Sequence, residues 1–159
     1  SPRWLFLYPG LLIFLTGFVG MLWLLPQAQT VGQVTFDVHS LLLSGVAMIL
    51  GFNVLLFSIL SQHSSSIHGL LPPNAWLQNA MKLFTLERLL VIGLVIAVVG
   101  FWGIVHAVMA WRAQDYGSLD YTETMRNIVP ASVSLVIGLQ IVFGSFLADI
   151  IGLAATAKK

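Results

Sequence analysis

Four long apolar stretches dominate this chain of 159 residues and constrain its fold more than any other feature. A helix needs about 20 mostly apolar residues to cross the hydrocarbon core of a membrane, and each stretch reaches that length. They occupy about residues 5–25, 39–60, 89–111 and 128–153, and Asp149 is the single Asp, Glu, Lys or Arg within them. The pattern predicts an all-α fold, an integral membrane four-helix bundle, with residues 1–159 forming one membrane domain.

Composition excludes several other classes of protein. Charged residues make up 8% of the chain, whereas a typical soluble domain has about 25%. The formal net charge is +1 and no basic stripe is present, which argues against a nucleic-acid partner. The chain contains no cysteine, so it has neither a disulfide framework nor a thiolate metal site.

The first stretch has an alternative interpretation as a secretory signal peptide. The apolar part of a signal peptide is about 7–15 residues long and precedes a small-x-small cleavage site. Here the stretch is longer, and Ala28 gives only a weak site. Pro9 falls in the first turns, where proline is tolerated. We therefore interpret residues 5–25 as a retained helix.

The lysine and arginine residues predict an orientation for the four spans. Both termini and the connection between the second and third spans share one side, and that side holds most of these residues. Because short cytoplasmic loops are enriched in Lys and Arg, both termini are predicted to be cytoplasmic. The predicted cytoplasmic residues are Arg3, Lys82, Arg88, Lys158 and Lys159; the predicted outer ones are Arg112 and Arg126.

The long cytoplasmic connection contains a candidate amphipathic helix at about residues 74–88, with Asn74 as its N-cap. Apolar side chains recur on one side at helical spacing, and polar side chains including Gln78, Asn79 and Lys82 fall mostly opposite. This pattern is typical of a helix that lies in the membrane interface. The alternative is that these residues form the first turns of an extended third span.

Two amide side chains and one carboxylate lie within the predicted spans, where burial of polar groups is costly. For Asn53 and Gln140 we favour hydrogen bonds between helices over contacts with a substrate. Asp149 is expected either to reach the interface or to pair with Arg88 or Lys82. No chain of ionisable groups crosses the bilayer in the sequence, so a proton relay is not favoured.

Small residues recur four positions apart within the spans, which permits close approach of helix backbones in lipid. They predict a compact bundle and no particular function. The pairs are Ala47 and Gly51, Gly93 and Ala97, Ser134 and Gly138, and Gly144 and Ala148.

Two histidines are the candidate cofactor ligands. His39 begins the second span and His106 lies near the end of the third, so the topology places both toward the outer face. Two imidazoles at similar depth can hold a haem axially or bind chlorophyll-type magnesium. We favour an interfacial, hydrogen-bonded histidine at both positions, and we predict no cofactor and no metal site.

The sequence has no motif for soluble-enzyme chemistry: no glycine-rich nucleotide fingerprint, Walker loop, zinc-ligand cluster or nucleophile elbow. Asp115, Asp120 and Glu123 share a predicted outer loop, for which a solvated acidic loop is favoured over a cation site. No catalytic residue is predicted, and the chain alone is not expected to be an enzyme.

Several segments resemble, in the same order, the C-terminal membrane region of bacterial family 2 glycosyltransferases of the dolichyl- or polyprenyl-phosphate sugar synthase type. They are SPRWLFLYPGLLIFLTG, VTFDVHSLLLSGVAMILGF, and GLLPP followed by KLFTLERLLVIGL. In that family a cytoplasmic GT-A domain transfers a sugar from a nucleotide donor to a lipid phosphate, and the membrane helices anchor it and help to present the lipid. The resemblance implies a bacterial inner membrane and polyprenyl phosphate as a lipid partner.

The catalytic GT-A domain of that family, with its metal-binding Asp-x-Asp motif, is not among these 159 residues, so the resemblance carries over no activity. Lys82 and Arg88 lie where the resemblance implies an anionic lipid headgroup, and phosphate favours such cations. Ordinary positive-inside anchoring is the competing interpretation of both residues.

Three hypotheses about function follow. The first is the membrane anchor of a polyprenyl-phosphate glycosyltransferase, whose catalytic domain precedes Ser1 or is carried elsewhere. The second is a non-catalytic structural subunit packed against other membrane proteins, as in a photosynthetic or respiratory complex. The third is a small electron carrier that binds its cofactor through His39 and His106.

Overall fold

The protein is almost entirely helical in the computed structural model, which describes residues 3–70, 72, 75–118 and 120–158. Five α-helices follow a π-helical turn at Arg3–Leu7, and four of them are long and apolar enough to cross a membrane. This confirms the predicted all-α, four-span membrane fold. The helices are α1 (Tyr8–Leu24), α2 (Val38–Ile67), the short α3 (Ala75–Leu83), α4 (Leu86–Ala113) and α5 (Tyr121–Ala157).

A small β-hairpin joins α1 to α2. Its strands, β1 (Gln29–Val31) and β2 (Val34–Phe36), pair antiparallel with Thr30 opposite Thr35. Gly32 in the turn has a φ of 64°, a conformation that glycine adopts without steric cost. We call the end of the bundle that carries this hairpin the hairpin side, and the end where α2 and α5 terminate the termini side.

Helices α2 and α5 extend beyond the predicted spans of residues 39–60 and 128–153. They contain 30 and 37 residues, so at 1.5 Å per residue they are about 45 and 55 Å long. The hydrocarbon core of a membrane is only about 30 Å thick. Hydropathy therefore marks the part of each helix that suits lipid, whereas helical hydrogen bonding continues through the polar residues beyond it.

The residues before α4 form a separate helix rather than the first turns of an extended third span. Helix α3 ends at Leu83 and α4 begins at Leu86. Thr85 is the N-cap of α4, and its hydroxyl accepts a hydrogen bond from the Arg88 backbone N–H at 3.4 Å. Two residues with predicted roles, Asn74 and Lys159, lie outside the described residues.

The main helix contacts are α1 with α2, α2 with α5, and α5 with α4. The buried apolar cluster lies toward the hairpin side between α1, α2 and α5, and includes Met21, Leu41 and Val133. Helices α4 and α5 approach closely at Gly138, where an added Cβ atom would collide with the backbone of Ala97. The close approach expected from the small-residue pairs is therefore confirmed for this contact.

Candidate lipid-binding groove

A large groove opens near the termini side between α2, α4 and α5, beside the end of α3. Its volume is about 690 Å³, within the range of about 300–1,000 Å³ that is usual for small-molecule sites. Its lining is mostly aliphatic and aromatic. The residues are Phe52, Leu56, Ile59, Leu60, His63, Met81, Phe84, Thr85, Leu86, Leu89, Ile92, Ile141, Gly144, Ser145, Ala148, Asp149, Gly152, Leu153 and Thr156.

The polarity of the groove changes along the helix axes. Phe52 and Ile141 belong to the central parts of the apolar stretches, so the deep end of the groove is apolar. His63, Thr85 and Asp149 line it nearer the helix ends on the termini side. The groove is therefore amphipathic in the direction of the membrane normal, which suits a ligand with an apolar tail and a polar end.

Small residues of α5 line the groove, and their surroundings differ. The Ser145 hydroxyl donates to the Ile141 carbonyl oxygen at 2.6 Å, so its polarity is satisfied within its own helix. A Cβ atom at Gly144 would meet the side chain of Leu56 at 2.7 Å. At Gly152, an added Cβ atom would have no neighbour within 4 Å. Gly152 therefore borders open space at the polar end of the groove.

Two ionisable side chains line the polar end. His63 is half-buried and lies beside the backbone of Ala148, whereas Asp149 is exposed. The described residues contain no ion pair between Asp149 and either Arg88 or Lys82. Pairing of Asp149 with Arg88 or Lys82 is therefore not observed, and a position of its carboxylate at the membrane interface stays a prediction.

Arg88 lies beside the groove rather than in its lining. Its Nη1 atom donates to the Leu83 carbonyl oxygen at 2.7 Å, so the guanidinium caps the C-terminal end of α3. It also lines a shallower recess of about 580 Å³, which shares Phe84 and Ile92 with the groove. The same recess contains the carboxylate-bearing Glu87.

Lys82 occupies the last turn of α3 and is exposed. A cation there interacts favourably with the helix dipole. Its side chain lines neither the groove nor the recess. The structure thus brings Arg88 closer to the groove than Lys82, and a role for either residue in binding phosphate remains a prediction.

The two candidate cofactor ligands lie on different parts of the bundle. His39 and His106 are both exposed, and they belong to α2, which packs mainly against α1, and to α4, which packs mainly against α5. No group of three or more His, Asp or Glu side chains suited to a metal ion occurs within the described residues. The interfacial role favoured for both histidines stays a prediction, and cofactor binding stays its alternative.

A polar cluster on the hairpin side was not predicted from the sequence. Arg126 of α5 donates through Nη1 to the carbonyl oxygens of Leu24 and Leu25, at 2.6 and 3.2 Å. Its Nη2 atom lies 2.9 Å from Asp37 Oδ1. The available signal was the placement of both charges at span ends on the same predicted side, but that pattern does not identify a pair.

Most of the groove-lining residues fall in a segment that matches a known family of membrane domains. Residues 59–152 match the C-terminal transmembrane region of glycosyltransferase family 2. The chain belongs to this family, which confirms the resemblance seen in its sequence.

One similar protein is the low-salt glycan biosynthesis hexosyltransferase Agl6 of Haloferax volcanii. It is 31% identical over 155 residues, which are 96% of this chain. The chain spans 36% of the length of that relative. No solved structure matches significantly.

Proposed function

We propose that this chain is the lipid-side membrane domain of a glycosyltransferase that uses a polyprenyl phosphate as its acceptor. The observation that carries the proposal is the amphipathic groove of about 690 Å³, which lies largely within the family segment at residues 59–152. In this proposal the apolar end of the groove holds the first isoprenoid units. The polar end lies at the cytoplasmic interface of a bacterial inner membrane.

We assign the lipid phosphate to the Arg88 side of Phe84. Arg88 has five N–H donors, and the bond to Leu83 uses one of them. A guanidinium with free donors binds phosphate in two-point geometry, and Lys82 adds a second cation nearby in the chain. Each side of Phe84 carries one carboxylate, Asp149 in the groove and Glu87 in the recess, so the Arg88 guanidinium is what favours the recess for a phosphate.

Sugar transfer belongs, in this proposal, to a cytoplasmic catalytic domain that is attached to this chain or carried by a partner. Two facts support this division. The relative is named a hexosyltransferase, and the chain spans about a third of it. The matched region is also the transmembrane part of the family. The chain's own task is then to hold the acceptor lipid and present its phosphate to that domain.

Lipid binding tests the proposal directly. We expect Gly152→Trp to weaken binding of a polyprenyl phosphate to the purified chain in nanodiscs by tenfold or more, because the indole fills the groove without meeting the helix backbone. Leu147→Trp is the matched control, since Leu147 lies on the same helix, is 47% exposed and does not line the groove. Equal affinity in the Gly152→Trp and Leu147→Trp variants would refute the groove as the lipid site.

The headgroup is tested separately with the double variant Lys82→Gln, Arg88→Gln. We expect it to weaken binding of the polyprenyl phosphate and to leave binding of the matching polyprenol unchanged. If both lipids bind the variant as they bind the original chain, the two cations have no phosphate-binding role.

A further inference from the structure

Asn53 presents an unsatisfied amide on the lipid-facing surface of α2. The side chain is exposed and lies 15 residues, or about 22 Å, from the start of the helix at Val38, within the hydrocarbon core. Gln140 Nε2 donates to Asn53 Oδ1 at 2.6 Å. The Asn53 Nδ2 group donates no hydrogen bond to any of the described residues.

The neighbouring Gln140 shows that this amide pair lacks further partners inside the chain. Its Oε1 atom is buried and has no hydrogen-bond partner among the described residues. Because that oxygen is enclosed, the group that another molecule can reach is the Asn53 amide. By contrast, Thr16 is exposed on α1, but its hydroxyl donates to the Leu12 carbonyl oxygen within its own helix.

Asn53 also belongs to a straight stripe of exposed residues along α2, which we call the α2 seam. Its members follow alternating steps of three and four residues: Leu43, Val46, Leu50, Asn53 and Phe57. This is the spacing by which two helices pack along a left-handed seam. Apolar exposure alone is ordinary in lipid, so the polar residue within the seam is what distinguishes this face.

We propose that a second copy of this chain covers the α2 seam, with the two α2 helices parallel about a two-fold axis along the membrane normal. This symmetry puts both Asn53 amides at the same depth. Each Nδ2 can then donate to Oδ1 of the other copy, because a carbonyl oxygen accepts two hydrogen bonds and Gln140 uses one.

The α2 seam favours a second copy of the same chain as its partner. A side-chain amide is its own complement, with a donor and an acceptor on one group. In an isologous contact the same patch serves both subunits, so each copy supplies the group that the other lacks. A lipid tail offers no acceptor at this depth, which leaves Asn53 unsatisfied in the monomer.

Cysteine cross-linking in membranes tests this interface, because the chain has no cysteine of its own. We expect Val46→Cys and Leu50→Cys to form an oxidation-dependent product at twice the 17.4 kDa mass. Val98→Cys is the control for random collision, since Val98 is 57% exposed on α4. Cross-linking of Leu50→Cys that does not exceed that of Val98→Cys overturns the proposal, as does a product of any other mass.

The role of Asn53 is tested by measuring the association constant of the dimer in liposomes, by energy transfer between labelled copies. We expect Asn53→Leu to lower it about tenfold, because two hydrogen bonds between membrane helices, each worth roughly 0.6 kcal/mol, are lost. Asn53→Gln keeps an amide and should retain most of the affinity. An unchanged constant in Asn53→Leu, with normal folding, means that Asn53 serves only Gln140 and refutes the proposal.

Discussion

Arg126 joins three helices at the hairpin side through a single guanidinium. The last carbonyl groups of a helix have no partner within that helix, and Arg126 of α5 supplies donors to those of Leu24 and Leu25 at the end of α1. The same side chain pairs with Asp37 at the start of α2. Its side chain is 15% exposed, so solvent screens these contacts only partly.

We expect Arg126→Met to lower the free energy of unfolding by about 2–3 kcal/mol, the usual effect of losing hydrogen bonds to a charged group. Asp37→Asn should cost about 1 kcal/mol or less, because the Asp37 side chain is 38% exposed. Denaturation in detergent micelles, followed by circular dichroism, measures both. Arg112→Met is the control, since Arg112 is exposed and forms no ion pair with any described residue; an equal loss there would contradict the joining role of Arg126.

For single residues, the sequence indicates which side chains lie within the apolar spans but not which side chains they contact. Asn53 and Gln140 were each expected to bond across helices, and the structure confirms this by pairing them with each other at 2.6 Å. Hydropathy gives the position of a residue along the membrane normal but not its direction around the helix. For that reason the Arg126–Asp37 pair, and the placement of Arg88 beside the groove, could not be derived from spacing.

Among the helices, the contact between α4 and α5 depends on residues without side chains. A Cβ atom at Gly138 would lie against backbone atoms of Ala97 and Gly93, whereas one at Gly152 would have no neighbour within 4 Å. These two glycines of the same helix therefore have opposite surroundings and can be compared directly. One is required for helix packing, and the other borders the open groove.

We expect Gly138→Ala to destabilise the protein by about 1–3 kcal/mol, because the added methyl group must push two backbones apart. Gly152→Ala should be neutral or stabilising by up to about 1 kcal/mol, because alanine is the better helix former. Thermal unfolding of the two variants in the same detergent distinguishes them. Equal melting temperatures would show that α4 and α5 adjust to the methyl group without cost.

The number and type of the helices follow from the sequence because lipid requires long apolar segments with internally paired backbones. The sequence does not decide the separation of α3 from α4, since the segment at residues 74–88 has a helical pattern under either interpretation. It is decided at Thr85, whose extended backbone begins α4 anew. The groove could not be predicted, because it arises from the packing of α2, α4 and α5 rather than from any one segment.

The proposed function of the whole molecule depends on its orientation, since the lipid phosphate and a catalytic domain must meet on one side of the membrane. We expect Gln33→Cys, at the hairpin turn, to react with a membrane-impermeant maleimide in intact cells. Asn79→Cys on α3 should react only after the membrane is permeabilised, because α3 and the polar end of the groove are cytoplasmic in the proposed orientation. Both residues are exposed, so access to the reagent is the main difference between them. The opposite labelling pattern would put Arg88 and the polar end of the groove outside the cell. Because a cytoplasmic sugar donor cannot reach a lipid held there, the glycosyltransferase role would then fail even if the groove binds lipid.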